Sequence, residues 1–435
     1  MDPSMDRTAS PRCSTVSAGP ASGVTQAAPL SGRASRPLAT DWPSPLPEEW
    51  RRCWPLDDRY TFLNHGSFGS VPTPVLEAQR RYRDLVEARP IEILGRRVRE
   101  LLAPVKERLA QFLRTDAPGI GFVGNATEGV NAVLRSIDFR PGDVLLTTDH
   151  VYRAVLQAMR FVARRAGAEV RIVPIPLPTS GQEEIVERIA NAIDARVRLV
   201  VVDHITSPTA VVFPAARIAA LCRERGVECL IDGAHAPGML DLDLGAIGAT
   251  YYTGNLHKWV CAPKGSAFLW ADPARRSTVH PNIVSHFLDE GFDAEFDWQG
   301  TRDISAWLAI QDAIGFFEPV GWGRVRAHNR ELAFAARSLL HAAMHRRAAD
   351  PREPLTPEGD RSLLGSIATI ELPASSAGRW PHVEALQADL YERERIEVPI
   401  IDWGGRWHVR ISAQVYNRPE QYRQLADALE ARVFT

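Results

Sequence analysis

Two apolar periods alternate along the middle of the chain. The runs DVLLTT (143–148), EVRIVPI (169–175), RLVVVDH (198–204) and VECLID (227–232) have the length and branching of buried strands. Between them, 153–166, 182–194 and the stretch after Pro214 carry helical spacing. In the last of these, Ile218, Leu221 and Cys222 fall at i, i+3 and i+4. Pro214 stands where a first-turn proline is tolerated, and Gly226 where a C-terminal cap belongs. Two more strand-like runs follow, ATYYT (249–253) and SAFLW (266–270). Strands separated by helices predict βαβ units and a mainly parallel sheet.

The flanks differ in texture. Residues 1–45 are rich in Ser, Pro, Ala, Thr and Gly without periodicity, which predicts a disordered tail. A turn-rich segment (61–72) precedes a long helical region over 74–114, where Pro90 and Pro104 are expected to break or kink it. Helical patterns at 303–317 and 322–345 lead through a polar loop (347–362) to SIATIEL (366–372), a helix at 382–394, VPIID (398–402), WHVRIS (407–412) and a last helix at 418–432. The expected division is a tail over 1–45, a large domain over 46–320 and a small α/β C-terminal domain over 321–435.

Composition narrows the class. The 435 residues are 45% apolar, enough for a sizeable core, and the net charge of −2 gives no reason to expect nucleic acid or an anionic membrane surface as partner. No run approaches the ~20 apolar residues of a membrane helix. The five cysteines stand far apart with no CxxC pair, as expected of a reducing cytoplasm rather than a disulfide framework or zinc site. No GxGxxG follows a strand in the first half, against a dinucleotide-binding reading. Of 51 basic residues only Lys106, Lys258 and Lys264 are lysines. An amine can lose its proton and form an imine, which a guanidinium does very poorly. Lys106, beside Glu107 and Arg108 in a helical stretch, reads as part of a solvated face.

Ligands of α/β sheets bind beyond the carboxyl ends of the strands. DHITSPT, DGAHA and GNLHKW fall at such ends, and GNATEG opens a helix. In GNATEG, Gly124 permits close approach, while Asn125, Ala126 and Thr127 offer N–H groups and a hydroxyl suited to a phosphate; a plain capping box with Glu128 is the alternative. Asp232, ending an apolar strand, needs a cationic partner such as a protonated pyridine nitrogen, unless it is a structural turn aspartate. His235 either touches the ligand or caps that turn. Lys258, with Trp259, Tyr251 and Tyr252 as expected walls, would be desolvated toward imine formation. His257 and Asn255 could reach the same phosphate.

Together these residues resemble the class V aminotransferase family of fold-type I pyridoxal-phosphate enzymes, and within it the isopenicillin N epimerase-like branch. The matching segments, in order, are FLNHGSFG (62–69), GNATEGVN (124–131), TDHVY (148–152), DHITSPTA (203–210), DGAHAPG (232–238), YTGNLHKW (252–259), WQGTRD (298–303) and VRISAQVYN (409–417). The resemblance implies an α/β fold whose large domain holds a mainly parallel, seven-stranded-type sheet beside a small C-terminal domain. It implies pyridoxal 5'-phosphate (PLP) as cofactor and an amino-acid-derived substrate.

By the same resemblance, Lys258 binds the cofactor and later moves the α-proton, and Asp232 pairs with the pyridine nitrogen. Asn125, Ala126, Thr127, Asn255 and His257 hold the phosphate, Ser207 contacts the ring hydroxyl, and Tyr152 or His150 stacks on the ring. Arg410 grips the substrate carboxylate, for which a guanidinium fork is suited. Asn64 and His65 line the substrate mouth. Gly300 and Thr301 cross a dimer interface to the partner's phosphate, making a homodimer the active unit. One departure stands out: cysteine desulfurases of the family carry a nucleophilic cysteine near the C-terminus, whereas VRISAQVYN has none, which argues against persulfide chemistry. The implied reactions, in order, are C–S β-elimination from a cysteine S-conjugate in secondary metabolism, α-epimerisation with Tyr152 or His65 as second base, and transamination or decarboxylative deamination. Retention of Lys258, Asp232 and Arg410 argues against a non-catalytic binding module.

Overall fold

A computed structural model describes residues 42–44, 47–346 and 348–434. Its main sheet has seven strands: β1 (Ile120–Val123), β2 (Val144–Thr148), β3 (Glu169–Val173), β4 (Val197–Asp203), β5 (Glu228–Asp232), β6 (Tyr251–Asn255) and β7 (Ala267–Ala271). They lie in the order β1-β7-β6-β5-β4-β2-β3. All neighbours pair in parallel except at β7, which is antiparallel to both β1 and β6. The continuous apolar runs have a simple cause, since both faces of the sheet are covered. Along β4, Val200 and Val202 enter one apolar cluster while Leu199 and Val201 enter another on the opposite face.

β1 is the strand of this sheet that the pattern did not predict. It has four residues, and its Gly121 lies so close to the Phe296 ring that a Cβ would come within 2.5 Å. Its pairing with β7 defines it, and that partner lies some 150 residues away.

The predicted helical region over 74–114 divides at Pro90 into Thr73–Ala88, a π-helical turn at Ile91–Arg96, and Val98–Leu113. Pro104 lies inside the last helix without ending it. Lys106 on that helix is not on a solvated face. It is 4% exposed, with its ammonium 2.6 Å from Asp297 and in contact with Asp293. Its ion pair is made with a helix nearly 200 residues away, which nothing in its neighbourhood reveals.

A second sheet, β8 (Ile367–Glu371), β9 (Ile400–Trp403) and β10 (Arg406–Ser412), is antiparallel in the order β9-β10-β8. It packs with helices Trp322–His345, Val383–Glu394 and Pro419–Val433 around an apolar cluster that also takes in Leu63. Most of the expected disordered tail lies outside the described residues. Of its described part, Trp42 stacks on Tyr422 at 6.1 Å. Among the described residues, no helix is long and apolar enough to cross a membrane.

Candidate active site

The carboxyl ends of β4, β5 and β6 bring Asp203, Asp232 and Asn255 together on one edge. Parallel register sets Asp203 beside Asp232 and Asp232 beside Thr253. Above this edge is a cavity of about 580 Å³, to which Lys258, Thr127, Tyr152 and Ser207 also contribute.

One end of the cavity is the N-terminus of helix Ala126–Ser136. Asn125 caps it, its side chain accepting the Glu128 N–H at 2.9 Å. The Gly124 N–H is taken by the Glu128 carboxylate and the Ala126 N–H by Asn255 Oδ1, both at 2.8 Å. Asn255 therefore holds the helix start. The capping alternative and the anion cradle are both present, because the caps leave the Thr127 N–H and hydroxyl for a ligand. His257 lies beside them and donates from Nδ1 to the Ser266 carbonyl at 3.1 Å, which directs Nε2 to any partner it takes in the cavity. Burial, then the Lys258 charge, lowers its pKa to about 4. A phosphate dianion nearby would restore its proton.

At the centre stands Asp232, 3% exposed, one oxygen accepting the Ala234 N–H at 2.9 Å. Burial raises its pKa, so a cation from the cavity is what would keep it ionised. Gly233 follows because a Cβ there would overlap the Tyr252 ring at 2.3 Å.

Lys258 is half-buried, and desolvation, followed by the Arg410 charge, lowers its pKa to about 7. Its Nζ lies 3.2 Å from His235 Nε2, while Trp259 Nε1 donates to His235 Nδ1 at 3.4 Å. Indole is only a donor, so the neutral His235 ring carries its hydrogen on Nε2 and offers it to a neutral amine. Histidine tautomer and lysine basicity thus agree. Gly69 packs against this turn: a Cβ there would come 2.1 Å from the His257 carbonyl, and its φ of +71° suits glycine.

Several expected residues lie elsewhere. His65 is fully buried behind the lysine, between the Tyr416 hydroxyl at 2.8 Å and the Lys258 carbonyl at 2.9 Å, and is not at the substrate mouth. Asn64 is also off the cavity wall; it bonds Glu397 and accepts the Ser67 hydroxyl. His150 is held by Thr209 and the Ile175 carbonyl, so of these two candidates only Tyr152 reaches the cavity. Of the expected walls, Tyr251 points to the opposite face, onto Glu228, and Tyr252 bonds His204 beneath the site. Gly300 and Thr301 line no part of their own chain's cavity.

Arg410 is buried one layer behind the wall. It donates to the Ser207 carbonyl at 2.6 Å and hydroxyl at 3.1 Å, and to the Ser67 hydroxyl at 3.1 Å. Its Nε has no partner, and no carboxylate of the described residues reaches it. Ser67, Phe68 and Asp203 also line the wall and were not singled out in the sequence. Ser67 and Phe68 sit inside the FLNHGSFG segment, and Asp203 opens DHITSPT, so their signal was position within those segments.

This donor set fits a phosphopyridine carbonyl compound. Unused N–H and hydroxyl donors stand at one end, a buried carboxylate short of a cation at the centre, and an amine of lowered basicity in the same cavity.

Similarity to known proteins agrees with this geometry. The family model described as Aminotransferase class-V matches residues 63–358. The chain is 34% identical over 408 residues to isopenicillin N epimerase of Streptomyces clavuligerus, covering 90% of this chain and 98% of that protein. It is 29% identical to an L-cysteine desulfhydrase of Arabidopsis thaliana, covering 84% and 86%. Its fold is similar to the cystine C–S lyase C-DES, in a variant with glycine covalently linked to its PLP cofactor: the TM-score is 0.73 at 21% identity, over 87% of this chain and 98% of that one. The chain belongs to the class-V aminotransferase family, whose cofactor is pyridoxal 5'-phosphate.

Proposed function

We propose that this chain binds PLP and eliminates a thiol from the β-carbon of a cysteine-derived amino acid. The observation that carries the reading is the Lys258 amine, with a pKa brought to about 7, in a cavity to which no cysteine of the described residues contributes. When bound, PLP takes the substrate through its amino group and draws electrons from the bonds at the α-carbon. Thr127 and His257 would hold its phosphate, Asp232 its ring nitrogen, and Tyr152 one ring face. Arg410, with Ser67 and Ser207, would orient the substrate carboxylate. Lys258 takes the α-proton. The Cβ–S bond breaks with its electron pair on sulfur, and Lys258 returns the proton to the departing thiolate. Water then completes the balance, giving thiol, pyruvate and ammonia.

Epimerisation is a second reading, favoured by the 34% identity to isopenicillin N epimerase. It needs proton delivery to the opposite face. Tyr152 is available for that, whereas burial lowers the pKa of His65 to about 3 and its nitrogens are engaged. The test is incubation of the PLP-loaded protein in deuterated water with L-cysteine, S-alkyl and S-aryl cysteines and unsubstituted amino acids. Pyruvate with free thiol supports elimination. Deuterium in an intact amino acid, with loss of optical purity and no pyruvate, overturns it in favour of epimerisation.

Homodimerisation belongs to the proposal as well. Gly300, with φ +89°, and Thr301 stand free of their own cavity, as a loop serving a second copy would.

A further inference from the structure

Asp203 ends β4 next to Asp232 and is 4% exposed at the cavity floor. Two loops converge on its carboxylate. The Tyr152 N–H, from the loop after β2, donates to Oδ1 at 3.5 Å, and the Ser207 N–H, from the turn after β4, faces the same carboxyl group. Tyr152 is one aromatic wall of the cavity, and Ser207 holds Arg410 through its carbonyl and hydroxyl. We propose that Asp203 is a positioning residue for the substrate end of the site: by accepting the amide N–H groups of Tyr152 and Ser207, it fixes the aromatic wall and, through Ser207, Arg410.

The environment explains why a carboxyl group can serve here beside Asp232. Burial, and then the Asp232 charge, raise the pKa of Asp203 well above the carboxylate range. In its protonated form Asp203 offers its carbonyl oxygen to the two amides and adds no second negative charge beneath the ring. An asparagine side chain has the shape of that neutral acid and the same acceptor oxygen. Alanine removes the acceptor and leaves two buried N–H groups unpaired.

The proposal rests on the PLP reading but not on the reaction, so its test uses glycine, which has no β leaving group. PLP-loaded wild type, Asp203→Asn and Asp203→Ala are titrated with glycine and followed by cofactor absorbance. PLP affinity is measured separately by fluorescence quenching. In Asp203→Ala, the glycine Kd is expected to rise about tenfold, the scale of a lost buried acceptor. Its PLP Kd should rise less than the glycine Kd, since Tyr152 covers a ring face but neither loop holds the phosphate. Asp203→Asn is expected to match wild type in both. Asp203→Ser, too short to reach both amides, repeats the loss should the alanine variant fail to fold. Unchanged glycine affinity in the alanine or serine variant overturns the proposal, as does an asparagine variant as impaired as alanine. A wild-type chain that takes up no PLP overturns the cofactor reading and this inference with it, whereas PLP uptake without pyruvate formation strikes only the proposed reaction.

Discussion

Arg410 Nη1 lies 2.6 Å from the Ser207 carbonyl, the shortest bond of a buried guanidinium that meets no carboxylate among the described residues. A buried charge without a counter-ion is costly, and here the counter-ion is assigned to the substrate. Replacing Arg410 with methionine should therefore raise KM by roughly two orders of magnitude, while retaining PLP and raising the melting temperature by about a few degrees. Steady-state kinetics and thermal scans of the variant check both. Loss of PLP from the variant would place the arginine at the cofactor end.

The lowered pKa of Lys258 has a thermodynamic consequence for the cofactor-free protein. Unfolded, the amine titrates near 10.5; folded, near 7, because burial disfavours the ammonium. Between these values the unfolded chain binds more protons, so this group makes stability rise with pH at about 1.4 kcal/mol per unit. Below pH about 7 the whole penalty is present, and above about 10.5 it is gone. Lys258→Met should exceed cofactor-free wild type in stability near pH 7, and lose that advantage toward pH 10.5. Urea melts of both proteins across this range provide the comparison; a difference independent of pH would contradict the depressed pKa.

In the proposed reading, Asp232 supplies the charge against which a ring nitrogen is protonated. Asp232→Asn removes that charge while preserving the bond from Ala234. We expect kcat to fall by about two orders of magnitude or more. PLP should still be bound through the phosphate donors. A variant with full kcat would assign Asp232 a structural role in its turn.

Phe68 is 74% exposed although it lines the cavity. An apolar or aromatic substituent on the substrate sulfur could cover it. Phe68→Ala should reduce kcat/KM for S-benzyl-cysteine by about tenfold, the value of an aromatic contact, and leave L-cysteine within about twofold. Equal losses on the two substrates would assign Phe68 to folding or assembly.

Lys106 tests the core. Burial raises Asp297 to a pKa of about 6, and Lys106 is the closest opposing charge. Lys106→Ala should destabilise the protein by about 3 kcal/mol at pH 7.5, because it leaves a buried carboxylate with only the more distant Arg99, at 3.9 Å, as counter-charge. The loss should shrink as pH falls through about 6, where Asp297 takes up a proton and no longer needs the ammonium. Chemical denaturation at pH 7.5 and 5.5 measures both values.

The sequence by itself determined the alternation of strands and helices, since an apolar run long enough for a two-faced strand and an amphipathic run long enough for a helix are local properties. It also determined the polar clusters Asn125–Thr127, Asp232 and His257–Lys258, because parallel strands end on one edge and each cluster follows or opens an element there. What it could not determine are relations between distant segments. β1 exists through its pairing with β7. Lys106 is buried because a helix nearly 200 residues later supplies Asp297. His65 stands behind Lys258 rather than at the mouth because Tyr416 and the Lys258 carbonyl hold its two nitrogens. Asp203, an unremarked strand end in the sequence, lies under two loops because register sets it beside Asp232. Hydrogen-bond direction and desolvation depend on which groups meet in three dimensions, and spacing along a chain does not encode that meeting.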